Sequence, residues 1–243
     1  MSWVMGTAPV PLAMGCHQAL AAGMPRRALI DHRPWLLASL VASISYFFFR
    51  DNPVPGTYLM VWKGAGVGLL AIYAARRGKG ADGWLITLAL VLGALGDMAL
   101  ELDLVAGGAF FGAAHIVAII LFLRNPRARR SGSQWATAIV LALATPIIAA
   151  FLVLPDPQWP LATGYALAVG LMAAAAWLSR FPRYKVGTGA VLFVLSDLLI
   201  FAGEADRIPE DISWWLVWPL YYSGQFLIAT GVVQRLRRDR RPH

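Results

Sequence analysis

The chain has 243 residues, of which 58% are hydrophobic and 14% charged, and its formal net charge is +8. Soluble domains contain about 45–50% apolar and about 25% charged residues. The composition therefore excludes an ordinary soluble enzyme, a disordered chain and a disulfide-stabilised secreted domain, and it predicts a protein that crosses a membrane several times. The single cysteine, Cys16, excludes an internal disulfide and a thiolate metal cluster.

Eight segments are long and apolar enough, or nearly so, to form membrane-spanning helices of about 20 residues. In chain order they are 34–49, 56–75, 84–102, 106–123, 135–154, 159–179, 186–203 and 213–233. Short connections rich in Gly and Pro separate them, which favours one compact bundle. The predicted fold class is all-α, with one membrane domain over residues 29–234. A flexible tail, residues 1–28, precedes this domain, and a basic tail, residues 235–243, follows it.

The distribution of basic residues predicts the orientation of the bundle. Eighteen of the 21 Lys and Arg residues lie before the first span, in every second connection and after the last span. By the positive-inside rule these regions are cytoplasmic, so both termini are expected in the cytoplasm, which requires an even number of spans. The charge thus indicates contact with membrane lipids rather than with nucleic acid. The expected location is a bacterial inner (plasma) membrane.

Two segments of the chain resemble each other at a distance of 100 residues. Residues 95–100 read LGDMAL and residues 195–200 read LSDLLI. This spacing is consistent with an internal repeat of four plus four spans. It places Asp97 and Asp197 at equivalent depths.

Ionisable side chains inside the spans are the first candidates for function, because a charge in hydrocarbon costs about 2.5–3.5 kcal/mol on insertion scales. At a rise of about 1.5 Å per residue, Lys63, Asp97 and Asp197 all lie about 20 Å from the predicted cytoplasmic face. Three spans therefore bring a charge to one layer in the outer half of the membrane. Further polar candidates lie nearby: Glu101, His115, Ser196, Tyr221, Tyr222 and Gln225.

Each candidate also has a structural interpretation. An intramembrane aspartate could cap a broken helix or neutralise Lys63, whose pairing with an aspartate is favoured over snorkelling to the surface. His115 could be an interior histidine with satisfied hydrogen bonds, and Glu101 a solvated residue at the rim. The acidic connection around residues 204–211 is interpreted as solvated. No metal site is expected, because the candidates lack a recognisable ligand spacing.

Four short motifs occur in a fixed order along the predicted bundle. They are Gly96-Asp97, Gly107-x-x-x-Phe111-x-x-x-His115, Ser196-Asp197-Leu198-Leu199 and Tyr221-Tyr222-x-x-Gln225. With them the chain resembles the YhhN-like lysoplasmalogenase family of integral membrane proteins, from the second span to the eighth. Two positions depart from that family's pattern. Gly64 follows Lys63 where the family tends to have proline, and Ala118 stands where an aromatic residue is often found.

The resemblance implies hydrolysis of the vinyl ether bond of lysoplasmalogens (lysoplasmenyl-ethanolamine or lysoplasmenyl-choline), without a cofactor. The products would be a fatty aldehyde and the glycerophospho-headgroup alcohol. Two buried carboxyl groups suit this chemistry, because protonation of the vinyl ether and activation of water need an acid and a base. The predicted catalytic residues are Asp97 and Asp197. Substrate-binding or supporting roles are predicted for Lys63, Glu101, His115, Ser196, Tyr221, Tyr222 and Gln225.

Three other functions fit the same residues. Paired aspartates with an intramembrane lysine and histidine are also typical of a proton-coupled transporter. A hydrolase of another lysophospholipid would use the same fold on a different substrate. A lipid-binding or assembly protein without catalysis would tolerate neutralisation of both aspartates. In each enzyme hypothesis the partners are a lysophospholipid substrate and membrane lipids.

Overall fold

A computed structural model describes residues 34–239, and from Trp35 onward these residues form one compact unit. The predicted tail at residues 1–28 and the last four residues of the chain lie outside the described part. Within residues 34–239 the structure is all-helical and contains no β-strand. The predicted all-α fold class is therefore confirmed.

Eight helices make up the described part of the chain, as the sequence predicts. They are α1 (Pro34–Phe49), α2 (Gly56–Arg77), α3 (Ala81–Ala99), α4 (Leu104–Arg124), α5 (Gly132–Val153), α6 (Trp159–Leu178), α7 (Thr188–Glu204, preceded by the π-helical turn Arg183–Gly187) and α8 (Glu210–Arg238). Seven of them are long and apolar enough to cross a membrane, whereas α1 is shorter, with 16 residues. Helix α8 continues through Arg238, so the first residues of the predicted basic tail are helical.

Local sequence signals explain several helix ends. The Asp103 carboxylate caps α4 by accepting a hydrogen bond of 2.6 Å from the Ala106 amide, which satisfies a free N–H at the helix start. Ser131 and Gln134 form a reciprocal capping box at the start of α5. Basic residues occupy the last turns of α2, α4 and α8, where they interact favourably with the helix dipole. These residues stabilise the starts of α4 and α5 and the ends of α2, α4 and α8.

Ion pairs and hydrogen bonds define the two ends of the bundle. At the basic end, which carries connections 78–80, 125–131 and 179–182 and the end of α8, Asp82 pairs with Arg124 at 3.2 Å and Arg180 with Asp239 at 2.8 Å. Connections 50–55, 100–103, 154–158 and 205–209 form the opposite end, where Arg207 donates to the Leu154 carbonyl at 2.7 Å. The cytoplasmic location of the basic end stays a prediction.

Close helix contacts depend on small residues, as is usual in membrane bundles. A Cβ atom added to Gly189 on α7 would lie 2.7 Å from the Gly224 carbonyl oxygen on α8, and the reverse addition gives the same distance. The two backbones are therefore in direct contact. This contact holds α7 and α8 side by side.

Large apolar side chains are exposed around the bundle, most clearly on α5. Val140, Leu143, Ile147 and Phe151 on that helix are each more than half exposed. A soluble protein rarely presents so large a continuous apolar surface to water, whereas a lipid-facing surface must be apolar. The structure is thus that of an integral membrane protein.

Candidate active site

A cavity of about 1040 Å³ lies between the helices, in the half of the bundle away from the basic end and nearer the opposite end. Its lining includes residues of the connections at that end, such as Gln158 and Asp206, and none from the connections of the basic end. It therefore opens at the opposite end of the bundle. Six of the nine predicted site residues line it: Lys63, Asp97, Glu101, Ser196, Asp197 and Tyr221.

Asp97 is the buried carboxyl group that α3 contributes to the cavity, with 1% of its surface exposed. The Tyr221 hydroxyl donates a hydrogen bond to its Oδ2 at 2.8 Å. The Gln225 side chain, one turn later on α8, lies near that hydroxyl, since both groups are close to Gly93 on α3. Gly93 makes room for this arrangement, since a Cβ atom there would lie 3.1 Å from Gln225 Nε2. Helix α8 thus holds Asp97 through the Tyr221 hydroxyl group.

Asp197 on α7 is the second buried carboxyl group, 6% exposed. Its Oδ2 accepts a hydrogen bond of 2.9 Å from the Tyr165 hydroxyl on α6, and its Oδ1 accepts one of 3.3 Å from Ser196. His115 Nε2 lies 3.2 Å from the Tyr165 hydroxyl and 3.9 Å from Asp197 Oδ2. Three helices therefore orient this carboxyl group.

An aromatic ring lies between the hydrogen-bonding partners of Asp197 and those of Asp97. The ring of Phe193, one turn before Asp197, is 4.8 Å from the His115 ring and 5.2 Å from the Tyr221 ring. No hydrogen bond between described residues joins Asp97 to Asp197. Each carboxyl group has its own tyrosine, and the two groups therefore have separate environments.

Lys63 has a different partner from the predicted one. Its Nζ donates to Glu101 Oε1 at 2.6 Å, and the pair is partly exposed. The expected ion pair with an aspartate is therefore wrong. Glu101 lies one turn beyond Asp97, just after the end of α3, and so it reaches the lysine from a position closer to solvent. Both residues line the cavity.

Three predicted residues lie outside the cavity lining. His115 contacts Tyr165, the donor to Asp197, and therefore acts through it. Gln225 lies near Tyr221, the donor to Asp97. Tyr222 points towards α1, where its hydroxyl lies 2.7 Å from Ser39 Oγ. It therefore joins two helices and does not face the cavity.

The YhhN family model matches residues 58–232, which is more than two thirds of the chain. The chain belongs to the YhhN family. The match spans α2 to α8 and contains all nine predicted site residues. No solved structure matches the chain.

Sequence reasoning missed Tyr165 of this YhhN-family protein. A lone tyrosine in an apolar span is unremarkable by composition. The available signal was depth, because Tyr165 lies six residues after the start of α6 and thus about 9 Å below the opposite end. That places it near the layer predicted for the charges. The structure adds it to the site as the hydrogen-bond donor to Asp197.

The mouth of the cavity is charged. The acidic connection that was expected to be solvated is exposed, but Glu204, Asp206 and Glu210 also line the cavity. Arg50, directly after α1, lines it as well. Among the described residues no group of three or more His, Cys, Asp or Glu side chains is arranged to hold a metal ion.

Proposed function

We propose that this YhhN-family protein is a membrane hydrolase that cleaves the vinyl ether bond of lysoplasmalogens. The products are a fatty aldehyde and the glycerophospho-headgroup alcohol. The observation that carries the proposal is the pair of buried carboxyl groups, Asp97 and Asp197, on the wall of one cavity. Buried carboxyl groups in a membrane bundle are costly and are therefore typical of functional sites.

The reaction requires two carboxyl groups in different protonation states. A carboxylic acid delivers a proton to the β-carbon of the R–CH=CH–O–R′ group, which gives an oxocarbenium ion. A carboxylate takes a proton from water as the water oxygen bonds to the α-carbon. The resulting hemiacetal, R–CH2–CH(OH)–O–R′, collapses to the aldehyde R–CH2–CHO and the alcohol R′–OH. Asp97 and Asp197 divide these two roles, and the hydroxyl groups of Tyr221 and Tyr165 keep them oriented.

The shape of the cavity supports a substrate with one hydrocarbon chain. Its volume is at the upper end of the roughly 300–1,000 Å³ that is common for small-molecule sites. Between α4 and α6 the lining includes the exposed apolar residues Val105 and Leu161. Beside Gly108 and Gly164, which also line it, there is open space. An alkenyl chain can occupy this gap while the headgroup remains at the polar mouth.

The cavity opens at one end of the bundle, and the connections at the basic end contribute nothing to its lining. This arrangement is sufficient for a substrate that enters and leaves from one side. One state of an alternating-access carrier would present the same one-sided cavity, so the assay below decides between hydrolase and carrier.

The test is aldehyde release from lysoplasmalogen by purified protein in detergent. Asp97→Asn and Asp197→Asn should each lower kcat by about 100-fold or more, the usual range for loss of a general acid or base. Asp211→Asn is the matched control, since Asp211 lies exposed in the first turn of α8 and outside the cavity lining. Full activity in both aspartate variants would refute the proposal.

The same preparation distinguishes the alternatives. Release of fatty acid from an ester lysophospholipid, without aldehyde release from the vinyl ether, would indicate a hydrolase with another substrate. Proton-dependent uptake of the lysolipid into proteoliposomes, without cleavage of the lipid, would indicate a transporter. Either result would replace the proposed activity.

A further inference from the structure

Neither of the basic side chains in the cavity wall takes part in the reaction described above. Two basic residues, Lys63 and Arg50, line the cavity. Lys63 is bound to Glu101. Among the described residues, no carboxylate forms an ion pair with Arg50. Arg50 is therefore the basic group of the lining that is available for an anion.

Arg50 is held in a fixed position at the mouth. Its guanidinium lies 3.8 Å from the centre of the Trp214 ring and 4.6 Å from that of Phe47. Its Nη2 donates to the Trp214 carbonyl at 2.7 Å. Stacking of this kind orients the planar group and leaves its edge free to donate.

The hydrogen-bonding capacity of Arg50 is incompletely used. Its Nε is buried and has no hydrogen-bond partner, which is unfavourable for a charged group. Burial lowers the pKa of the Arg50 guanidinium from its usual value, although arginine stays protonated at neutral pH. Arg50 therefore keeps its positive charge, with donor capacity that the described residues do not use.

Apart from Lys63, Arg50 and the tyrosines, every ionisable side chain that lines the cavity is a carboxyl group. These residues are Asp97, Glu101, Asp197, Glu204, Asp206 and Glu210. An anionic group of the substrate would be repelled by them and attracted by Arg50. The charge distribution therefore selects one part of the wall for an anion.

A continuous aromatic wall connects Arg50 to the reacting centre. The Arg50 amide donates to the Tyr46 carbonyl one turn earlier. The Tyr46 ring lies 4.7 Å from that of Trp218, which lies 5.7 Å from that of Tyr221, the donor to Asp97. All of these residues line the cavity. A ligand held at Arg50 can thus extend along this wall to the buried carboxyl groups.

We propose that Arg50 binds the phosphate group of the lysolipid substrate and so fixes the headgroup at the mouth while the ether bond reaches Asp97 and Asp197. The inference rests on the proposed function and extends it to substrate positioning. A planar guanidinium suits a phosphate because it can donate two parallel hydrogen bonds. Arg50 lies outside the residues matched by the family model, 58–232.

The experiment compares two substrates that differ only in the phosphate-containing headgroup. Arg50→Gln should raise KM for lysoplasmenyl-ethanolamine about tenfold or more, in line with the loss of a charge-assisted hydrogen bond. Its kinetics on the corresponding 1-alkenylglycerol, which has no phosphate, should match those of the wild type. Arg50→Lys should recover part of the loss. Arg207→Gln is the control, since Arg207 lies at the same end, binds backbone carbonyls and does not line the cavity.

Competition distinguishes a headgroup site from a site for phosphate alone. Glycerophosphoethanolamine should inhibit the wild type and not Arg50→Gln. If inorganic phosphate inhibited the wild type as strongly as glycerophosphoethanolamine does, the result would support a phosphate site that does not recognise the rest of the headgroup. An unchanged KM of Arg50→Gln on the phospholipid, or an equal rise on the 1-alkenylglycerol, would overturn the inference.

A binding measurement separates this inference from the proposed hydrolysis. If the wild type cleaves no vinyl ether, binding of lysophosphatidylcholine is followed by the fluorescence of the tryptophans at the mouth. Weaker binding by Arg50→Gln than by Arg207→Gln would support the phosphate site although the hydrolase proposal had failed. Equal binding by these two variants and the wild type would overturn it.

Discussion

The hydroxyl group of Tyr165 is the contact that joins Asp197 to His115, and replacing Tyr165 with Phe removes it alone. The hydroxyl lies 2.9 Å from Asp197 Oδ2 and 3.2 Å from His115 Nε2. The ring contacts with His115 and Phe201, at 5.6 and 6.0 Å between ring centres, do not involve the oxygen. The variant therefore tests a hydrogen bond with little change in packing.

The expected magnitude follows from the burial of these groups. A hydrogen bond to a charged group contributes about 1.5–3 kcal/mol, and an equal loss of transition-state stabilisation corresponds to a decrease in kcat of about 10- to 100-fold. His115, 2% exposed, would lose its hydrogen-bond partner as well. We therefore expect a lower kcat for aldehyde release together with a lower melting temperature in detergent.

Tyr222→Phe provides a matched control. It also deletes one buried tyrosine hydroxyl, which lies 2.7 Å from Ser39 Oγ, but it does so away from the cavity. Its melting temperature should fall by a similar amount while kcat is retained. The reasoning would be refuted if Tyr165→Phe kept full kcat, or if both variants lost kcat equally.

Three further predictions concern the chain-binding gap, helix packing and orientation. Gly164→Trp should fill the gap between α4 and α6 and raise KM for long-chain substrates more than for short-chain ones. Gly132→Trp, also beside open space but outside the cavity lining, should have no such effect; equal KM changes would contradict the assignment. Gly189→Ala should lower stability by about 1–3 kcal/mol, because the new Cβ meets the Gly224 carbonyl, and an unchanged melting temperature would count against this. A fluorescent protein fused to the C-terminus should fluoresce in the cytoplasm, and activity of an alkaline phosphatase fused there would contradict the predicted orientation.

The helices could be predicted from the sequence because lipid imposes a simple rule. Each backbone polar group in the membrane must be satisfied within its own helix, so apolar segments of about 20 residues map directly onto spans. The larger differences are at helix ends. Helix α8 runs to Arg238, since a helix can continue beyond the apolar region once its side chains reach water. Hydropathy records where the apolar stretch stops and not where the helix does.

Residue counts along the spans could identify side chains of the cavity wall but not the direction in which each side chain points. Counting residues along each span placed Lys63, Asp97 and Asp197 in one layer, and all three line the cavity. Depth does not specify which way a side chain points around its helix. For that reason the partner of Lys63 was predicted wrongly. Tyr221 and Tyr222 are adjacent in sequence, yet only Tyr221 faces the cavity.

The internal similarity between the two aspartate segments does not extend to their partners. Asp97 and Asp197 are 100 residues apart, and each accepts a hydrogen bond from a tyrosine, but Tyr221 lies on α8 and Tyr165 on α6. A shift of 100 residues from Tyr165 leads to Ala65 on α2, which carries no hydroxyl. A hydrolase that uses one carboxyl group as acid and the other as base needs different surroundings for the two. A four-plus-four duplication would supply two equivalent carboxyl groups, and the different tyrosines would then give them different tasks.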